Sequence, residues 1–207
     1  MTALHVAVLG TGNIGSTLGR KWVAAGHQVR FGVANPASDK AHALQAQLGS
    51  ATTIGTVAET LADADVVLMA IPGGAMEATI EANAAALDGK ILIDVANRLG
   101  SGGPANSLAA FQEHTPHAHV YRAFNTLGWE NFAEPVIGGV QADLFYAGPD
   151  GEPRATVEQL ISDVGLRAMY VGGTDQFGLI DSVLALWFQL ARGQNMGRRL
   201  AFKVLTP

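Results

Sequence analysis

The chain has 207 residues, 48% of them hydrophobic and 15% charged, with 25 glycines and no cysteine. That composition supplies a substantial core and excludes the disordered class. A formal net charge of −5, spread without long runs of either sign, argues against nucleic-acid or anionic-membrane partners and for a small molecule, while the missing cysteines exclude disulfides, thiolate metal sites and thiol–flavin relays.

The opening MTALHVAVLG enters an apolar run without a basic leader or cleavage motif, and the run is too short to span a bilayer. A cytoplasmic protein without membrane contact is the expectation. Leu4 to Leu9 predicts a strand that runs into glycines, and Asn13 to Ala25 a helix carrying Ile14, Leu18, Trp22 and Val23 at helical spacing. Gly26 closes that helix, His27 to Phe31 reads as a second strand, and Ser38 caps a helix that runs to Leu48. A weak strand follows near Thr52 to Ile54, then a short helix near Val57 to Ala62 and a strong strand from Val66 to Ile71. A helix from Gly74 bears Met76, Ile80, Ala84 and Leu87, and Ile91 to Asp94 is the fifth strand. Beyond the loop Gly100 to Pro104, a helix spans Ser107 to His114 and a sixth strand His119 to Phe124.

Six strands alternating with helices predict an α/β fold, a doubly wound parallel Rossmann sheet. The remainder reads as a strand (Asp143 to Ala147), a helix started by Pro153 and ended by Gly165, a strand (Ala168 to Val171) and a hydrophobic helix from Gln176 to Ala191. These make a small C-terminal α/β lobe, so that within one unit a dinucleotide-binding core of about 1–124 is joined by a lobe of about 125–207 that completes a cleft. The apolar stretch Leu184 to Phe188 suits a buried helix or a dimer face.

Gly10-Thr11-Gly12-Asn13-Ile14-Gly15 matches G-x-G-x-x-G between a predicted strand and a predicted helix. In that context the first glycine makes the turn, the second lets backbone approach a pyrophosphate, and the third lets helix and strand pack closely. The helix start adds free N–H groups and the positive end of its dipole. Ligands of open parallel sheets lie beyond the carboxyl ends of the strands, so Ala70, Ile71 and Pro72, then Asp94 to Asn97, then Asn125 should line the same crevice. Asn97 and Asn125 can hydrogen-bond there without ionising, and Asp94 is expected to organise backbone N–H groups rather than to act as a base.

After the second strand stand Val33, Ala34 and Asn35, with no acid before Asp39. The acceptor that usually holds the ribose 2′-hydroxyl of NAD is therefore missing, nothing repels a 2′-phosphate, and Lys40 is the nearest cation; NADP(H) is favoured, with NAD(H) left open. Arg30 precedes Phe31 inside the strand and reaches solvent.

The Gly10 to Gly15 turn, Ala24-Ala25-Gly26-His27, Phe31 to Pro36, Arg122 to Trp129, Gln141 to Gly148 and Gly197 to Lys203 together resemble the coenzyme F420-dependent NADP oxidoreductase family, nearly end to end. The resemblance extends to the reductase domain of membrane ferric reductases. It implies NADP on the Rossmann part, hydride exchange with a 5-deazaflavin held in a cleft completed by the C-terminal lobe, and a homodimer. It also marks a departure, because similar proteins commonly carry at position 34 an arginine for the 2′-phosphate and this chain has Ala34.

Hydride transfer between stacked rings needs positioning at roughly 3–3.5 Å more than it needs an acidic or nucleophilic side chain, so no catalytic residue is expected. None of Tyr121, Tyr146 or Tyr170 is followed by a lysine four residues on, and Lys90 is predicted at the amino edge of the sheet. His114, His117 and His119, and the pair Asp63 and Asp65, fall at that same edge, and no metal is expected. Trp129 could wall a second ring, with Met196 and Gly197 as weaker candidates. The readings kept open are a redox acceptor of the F420 or another flavin-like kind, a dinucleotide-binding sensor without chemistry, and a ferric or quinone reductase working through a bound flavin.

Overall fold

The computed structural model describes residues 3–48, 52–100 and 102–207. Six parallel strands form the central sheet in the order β3-β2-β1-β4-β5-β6: β1 (His5–Leu9), β2 (Gln28–Gly32), β3 (Thr52–Gly55), β4 (Val66–Met69), β5 (Ile91–Asp94) and β6 (His119–Arg122). This is the doubly wound order, with the reversal between β1 and β4 where a dinucleotide crosses the sheet. Helices cover both faces: α1 (Asn13–Ala24), α2 (Asp39–Leu48), α3 (Val57–Leu61), α4 (Met76–Ala82), α5 (Ala84–Leu87) and α6 (Leu108–His114).

The period-two geometry of a strand divides β1 between the faces. Val6 and Val8 join Leu18, Trp22 and Phe31 in one buried cluster, while Ala7 and Leu9 join Met69, Ile80 and Phe111 in the other. Every residue of β4 is buried, as a strand covered on both sides must be. Ser38 caps α2 through its Oγ, which accepts from the Ala41 amide at 3.2 Å.

The C-terminal part contributes α7 (Trp129–Ala133), a hairpin β7 (Val136–Ile137) and β8 (Val140–Gln141), β9 (Asp143–Tyr146), α8 (Glu152–Val164), β10 (Arg167–Tyr170) and α9 (Phe177–Phe188). β9 and β10 pair in parallel as a two-stranded sheet. Leu144, Tyr146, Leu160 and Trp187 share the core cluster of Val6 and Trp22, and Trp22 Nε1 donates to the Leu160 carbonyl at 2.9 Å.

Several boundaries differ from the sequence reading for identifiable reasons. β6 ends at Arg122 rather than Phe124 because Phe124 takes a left-handed φ of 58°. The helix expected from Gly74 is a 3-10 turn (Gly73–Ala75) followed by α4 and α5, split at Asn83, whose Nδ2 donates to the Thr79 carbonyl at 2.8 Å. α9 stops at Phe188 and continues as a π turn, Gln189–Gly193. α7 leaves no signal in the sequence pattern, and the one signal of the hairpin is its two-residue turn, Gly138-Gly139, at φ 58° and 81°.

The chain end is strapped to β9 by Asp143, whose side chain is fully buried. Its oxygens accept from Arg167 Nε and Nη2 at 2.7 and 2.6 Å, from Lys203 Nζ at 3.0 Å and from the Val204 amide at 2.7 Å. Burial works to raise the Asp143 pKa, but the Arg167, Val204 and Lys203 donors prevail and hold it below the ordinary carboxylate value. A depressed folded-state pKa contributes stability that is present above the unfolded value of about 3.9 and lost as the pH falls through the folded one. Urea unfolding should therefore show stability falling below about pH 4, and Asp143→Asn should flatten that acid limb; an unchanged limb would remove Asp143 as its source.

Candidate functional site

β1 hands the chain to Gly10, at φ 111°. A Cβ on Gly10 would lie 2.3 Å from the Ala70 carbonyl oxygen, and one on Gly15 would lie 2.3 Å from the Gly10 oxygen. Only glycines let the turn press this closely against the end of β4 and let α1 start directly above it. The Gly10 amide donates to the Gly32 oxygen at 3.4 Å and the Ala70 amide to the Leu9 oxygen at 2.8 Å, joining the ends of β2, β1 and β4.

Gly12 behaves differently. It is exposed, and a Cβ there would meet nothing within 4 Å. It is the N-cap of the twelve-residue α1, and no acidic side chain occupies the first turn. Thr11, Asn13 and Ile14 lie at this same opening. The first N–H groups of a helix lack intrahelical partners and carry partial positive charge, so the turn is a preformed cradle for an anion.

Beyond β2, the Val33 amide donates to the Gly55 oxygen at 3.0 Å. Asn35 Oδ1 accepts from the Ala37 amide at 3.1 Å, so this side chain shapes the turn into α2. Ala34 is exposed. Lys40 belongs to α2, but its side chain lies outside the described residues. Arg30 pairs with Asp63 at 3.0 Å on the surface, which leaves Ala34, Asn35 and the start of α2 as the described boundary of the adenosine end.

On the other half of the sheet, Ile71 is half-buried against the core and Pro72 exposed. A Cβ on Gly73 would lie 2.8 Å from the Asn97 carbonyl oxygen, so the loops after β4 and β5 touch. Asp94, fully buried, accepts from the Ala96 amide at 3.1 Å and the Ser107 amide at 2.9 Å, organising backbone as expected. Burial raises its pKa, opposed by the adjacent Arg122 and by those two amides.

Sequence reasoning misses two members of the site, Arg122 and Asp181. The Arg122 side chain is fully buried at the end of β6. Nε and Nη2 donate to Asp181 Oδ1 at 3.0 and 2.9 Å, Nη2 donates to Asn97 Oδ1 at 2.8 Å, and Nη1 lies 3.2 Å from Asp94 Oδ1. Asn125 is buried beside it. The available signals are a lone cation in an apolar strand and a lone acid interrupting the apolar helix α9; neither names its partner.

Phe124 is packed edge-on between Trp22 and Phe132, with ring centroids at 5.9 and 5.7 Å. That packing holds its left-handed backbone, a conformation costing about 1–3 kcal/mol. Trp129 opens α7, which packs against α1, and Met196 stands exposed after the π turn. The segment from Gly197 closes back over this region: Arg198 pairs with Glu130 at 2.6 Å and Trp187 Nε1 donates to the Leu200 oxygen at 2.8 Å.

The remaining polar candidates are committed elsewhere. Tyr121 and Tyr170 donate to the Pro149 and Gly148 carbonyls, and Tyr146 to Glu158; burial pushes the Tyr121 and Tyr146 phenols up. Lys90 Nζ donates to the Ala64 oxygen at 2.7 Å, and His117 pairs with Asp88 at 2.8 Å. Among the described residues no cluster of three or more metal-ligating side chains occurs, and no described helix is long and apolar enough to cross a membrane.

Residues 5–98 match the family model described as NADP oxidoreductase, coenzyme F420-dependent. A provisionally assigned F420-dependent NADP-reductase from Arthrobacter sp. FB24 has a crystal structure that superposes with a TM-score of 0.84, at 26% identity over 99% of this chain and 100% of that one. A hypothetical protein from Sinorhizobium meliloti gives a TM-score of 0.70, at 26% identity over 86% of this chain and 88% of that one. Among curated proteins, a glycerol-3-phosphate dehydrogenase [NAD(P)+] of Chlorobium luteolum is 23% identical over 98% of this chain, which spans 65% of that protein's length. The resemblance read from the motifs holds in the family model and in the fold, and these similarities support pyridine-nucleotide binding.

Proposed function

We propose that the protein is an oxidoreductase that exchanges hydride between NADP(H) and a flat acceptor of the deazaflavin F420 kind. The observation that carries the reading is the cradle at the start of α1, with open space over Gly12 and no carboxylate in the first turn. When bound, the nicotinamide supplies or receives the hydride.

The chain's own residues hold and orient. The amides from Gly12 onward face the diphosphate, Gly12 keeps a side chain out of its path, and Gly10 and Gly15 let the turn pack closely against the end of β4 and the start of α1. Ile71 and Pro72 wall the nicotinamide half, and Asn97 offers a neutral polar group there. No carboxylate stands at Val33, Ala34 or Asn35 to repel a 2′-phosphate, which favours NADP(H), while the alanine at position 34 and Asp39 at the start of α2 leave the preference modest. The F420 acceptor is supported by the family match over 5–98 and by the Arthrobacter relative.

Mixing the protein with NADPH and oxidised F420 should consume NADPH in step with F420 reduction, faster than with NADH. Tight NADPH binding without turnover would remove the F420 acceptor and favour a dinucleotide sensor. A protein that binds neither NADPH nor NADH would remove the whole reading.

A further inference from the structure

Arg122 lies fully buried behind Asn97, in the half of the crevice assigned to the nicotinamide, and the role inferred for it rests on that assignment. A guanidinium has five donors and no acceptor, so an amide packed on it must turn its oxygen inward. Asn97 does so, accepting from Nη2 at 2.8 Å. Asn125, with its amide oxygen inward, accepts from Nε and Nη2 at 3.2 Å each.

The guanidinium is itself fixed from two sides. β5 supplies Asp94, while α9 supplies Asp181, which accepts from Nε and Nη2 and whose other oxygen accepts from Asn106 Nδ2 at 2.6 Å. Nothing in this arrangement lets Asn97 exchange its oxygen and nitrogen without facing a donor with a donor. Its Nδ2 is left with the Asn125 carbonyl at 3.4 Å, a long bond, on a residue that is only half-buried.

We infer that Arg122 is a positioning residue: anchored by Asp181 of α9, it fixes Asn97 as a hydrogen-bond donor toward the nicotinamide half of the crevice. The group that Asn97 recognises is a neutral oxygen acceptor, such as the carboxamide oxygen or a ribose hydroxyl. The C-terminal helix thereby sets the polarity of a residue on β5's loop without touching the ligand.

The test compares two ligands that share the adenosine end. NADPH and 2′-phospho-ADP-ribose are titrated calorimetrically into the wild type, Arg122→Lys and Asn97→Ala, with Tm recorded for each. Lysine keeps the charge but offers one nitrogen in place of the fork. Both variants should lose about tenfold in NADPH affinity and keep their affinity for 2′-phospho-ADP-ribose. Equal losses for both ligands, or none for either, would overturn the inference. If Arg122→Lys fails to fold, Asp181→Asn, which removes the carboxylate that anchors the same guanidinium, takes its place beside Asn97→Ala, with the same ligand-selective loss expected. A wild type that binds neither ligand would instead overturn the dinucleotide reading itself, and the role of Arg122 with it.

Discussion

Gly12→Val is expected to abolish NADPH binding while leaving the protein folded. The backbone at Gly12 has φ −72° and ψ −177°, ordinary extended values that a β-branched residue adopts, and a Cβ there has nothing within 4 Å. The cost to the fold is the loss of a good N-cap, about 1 kcal/mol or less, a shift of a few degrees in Tm at most. In the complex, however, the isopropyl group occupies the space through which the diphosphate reaches the first-turn amides. Losing that approach should weaken binding at least about 100-fold, roughly 2.7 kcal/mol. Gly10→Ala gives the opposite pattern: with φ 111° and a Cβ placed 2.3 Å from the Ala70 oxygen, it strains the fold itself. Calorimetric titration and thermal unfolding of both variants separate the two effects. Gly12→Val binding NADPH as the wild type does would place the diphosphate elsewhere.

The largest stability effect is expected at Asp94→Ala. Asp94 and Arg122 are both fully buried, with 3.2 Å between them. Removing the carboxylate strips the Ala96 and Ser107 amides of their acceptor and leaves the guanidinium with Asp181 as its remaining carboxylate partner. Breaking a buried pair from one side costs about 3–5 kcal/mol, which for a chain of this size lowers Tm by roughly 6–20 °C. Urea unfolding measures it directly. A loss below about 1 kcal/mol, the range of an exposed pair, would show that the network does not brace the ends of β5 and β6.

The parts of the fold legible in the sequence are those written in local patterns. β1, the glycine turn and α1 follow one another with no intervening signal, and Pro153 and Gly165 bracket α8 as read, with Pro153 in its first turn and Gly165 as a left-handed C-cap. Asn83 defeats the periodicity: Met76, Ile80, Ala84 and Leu87 keep helical spacing across a break where the Asn83 side chain bonds the Thr79 carbonyl one turn back. α7 has five residues and each strand of the hairpin two, too few to show a period.

The site divides in the same way. Its diphosphate end is a contiguous motif and can be read directly. Its other end is assembled by Arg122 from Asp94, Asn97 and Asp181, which are separated by as many as 59 positions from it, and only the tertiary structure joins them. The strap from Arg198 to Val204 is invisible for a related reason, since much of it is held by side chains bonding to distant backbone, as Asn131 does to the Arg198 oxygen at 2.9 Å.

The most direct measurement is a crystal structure of the protein with NADP+. Diphosphate oxygens should lie about 2.7–3.1 Å from amide nitrogens at the start of α1, with the nicotinamide half extending past Ile71 toward Asn97. Clear density for the dinucleotide at any other place, or an empty α1 terminus at saturating NADP+, would contradict the account.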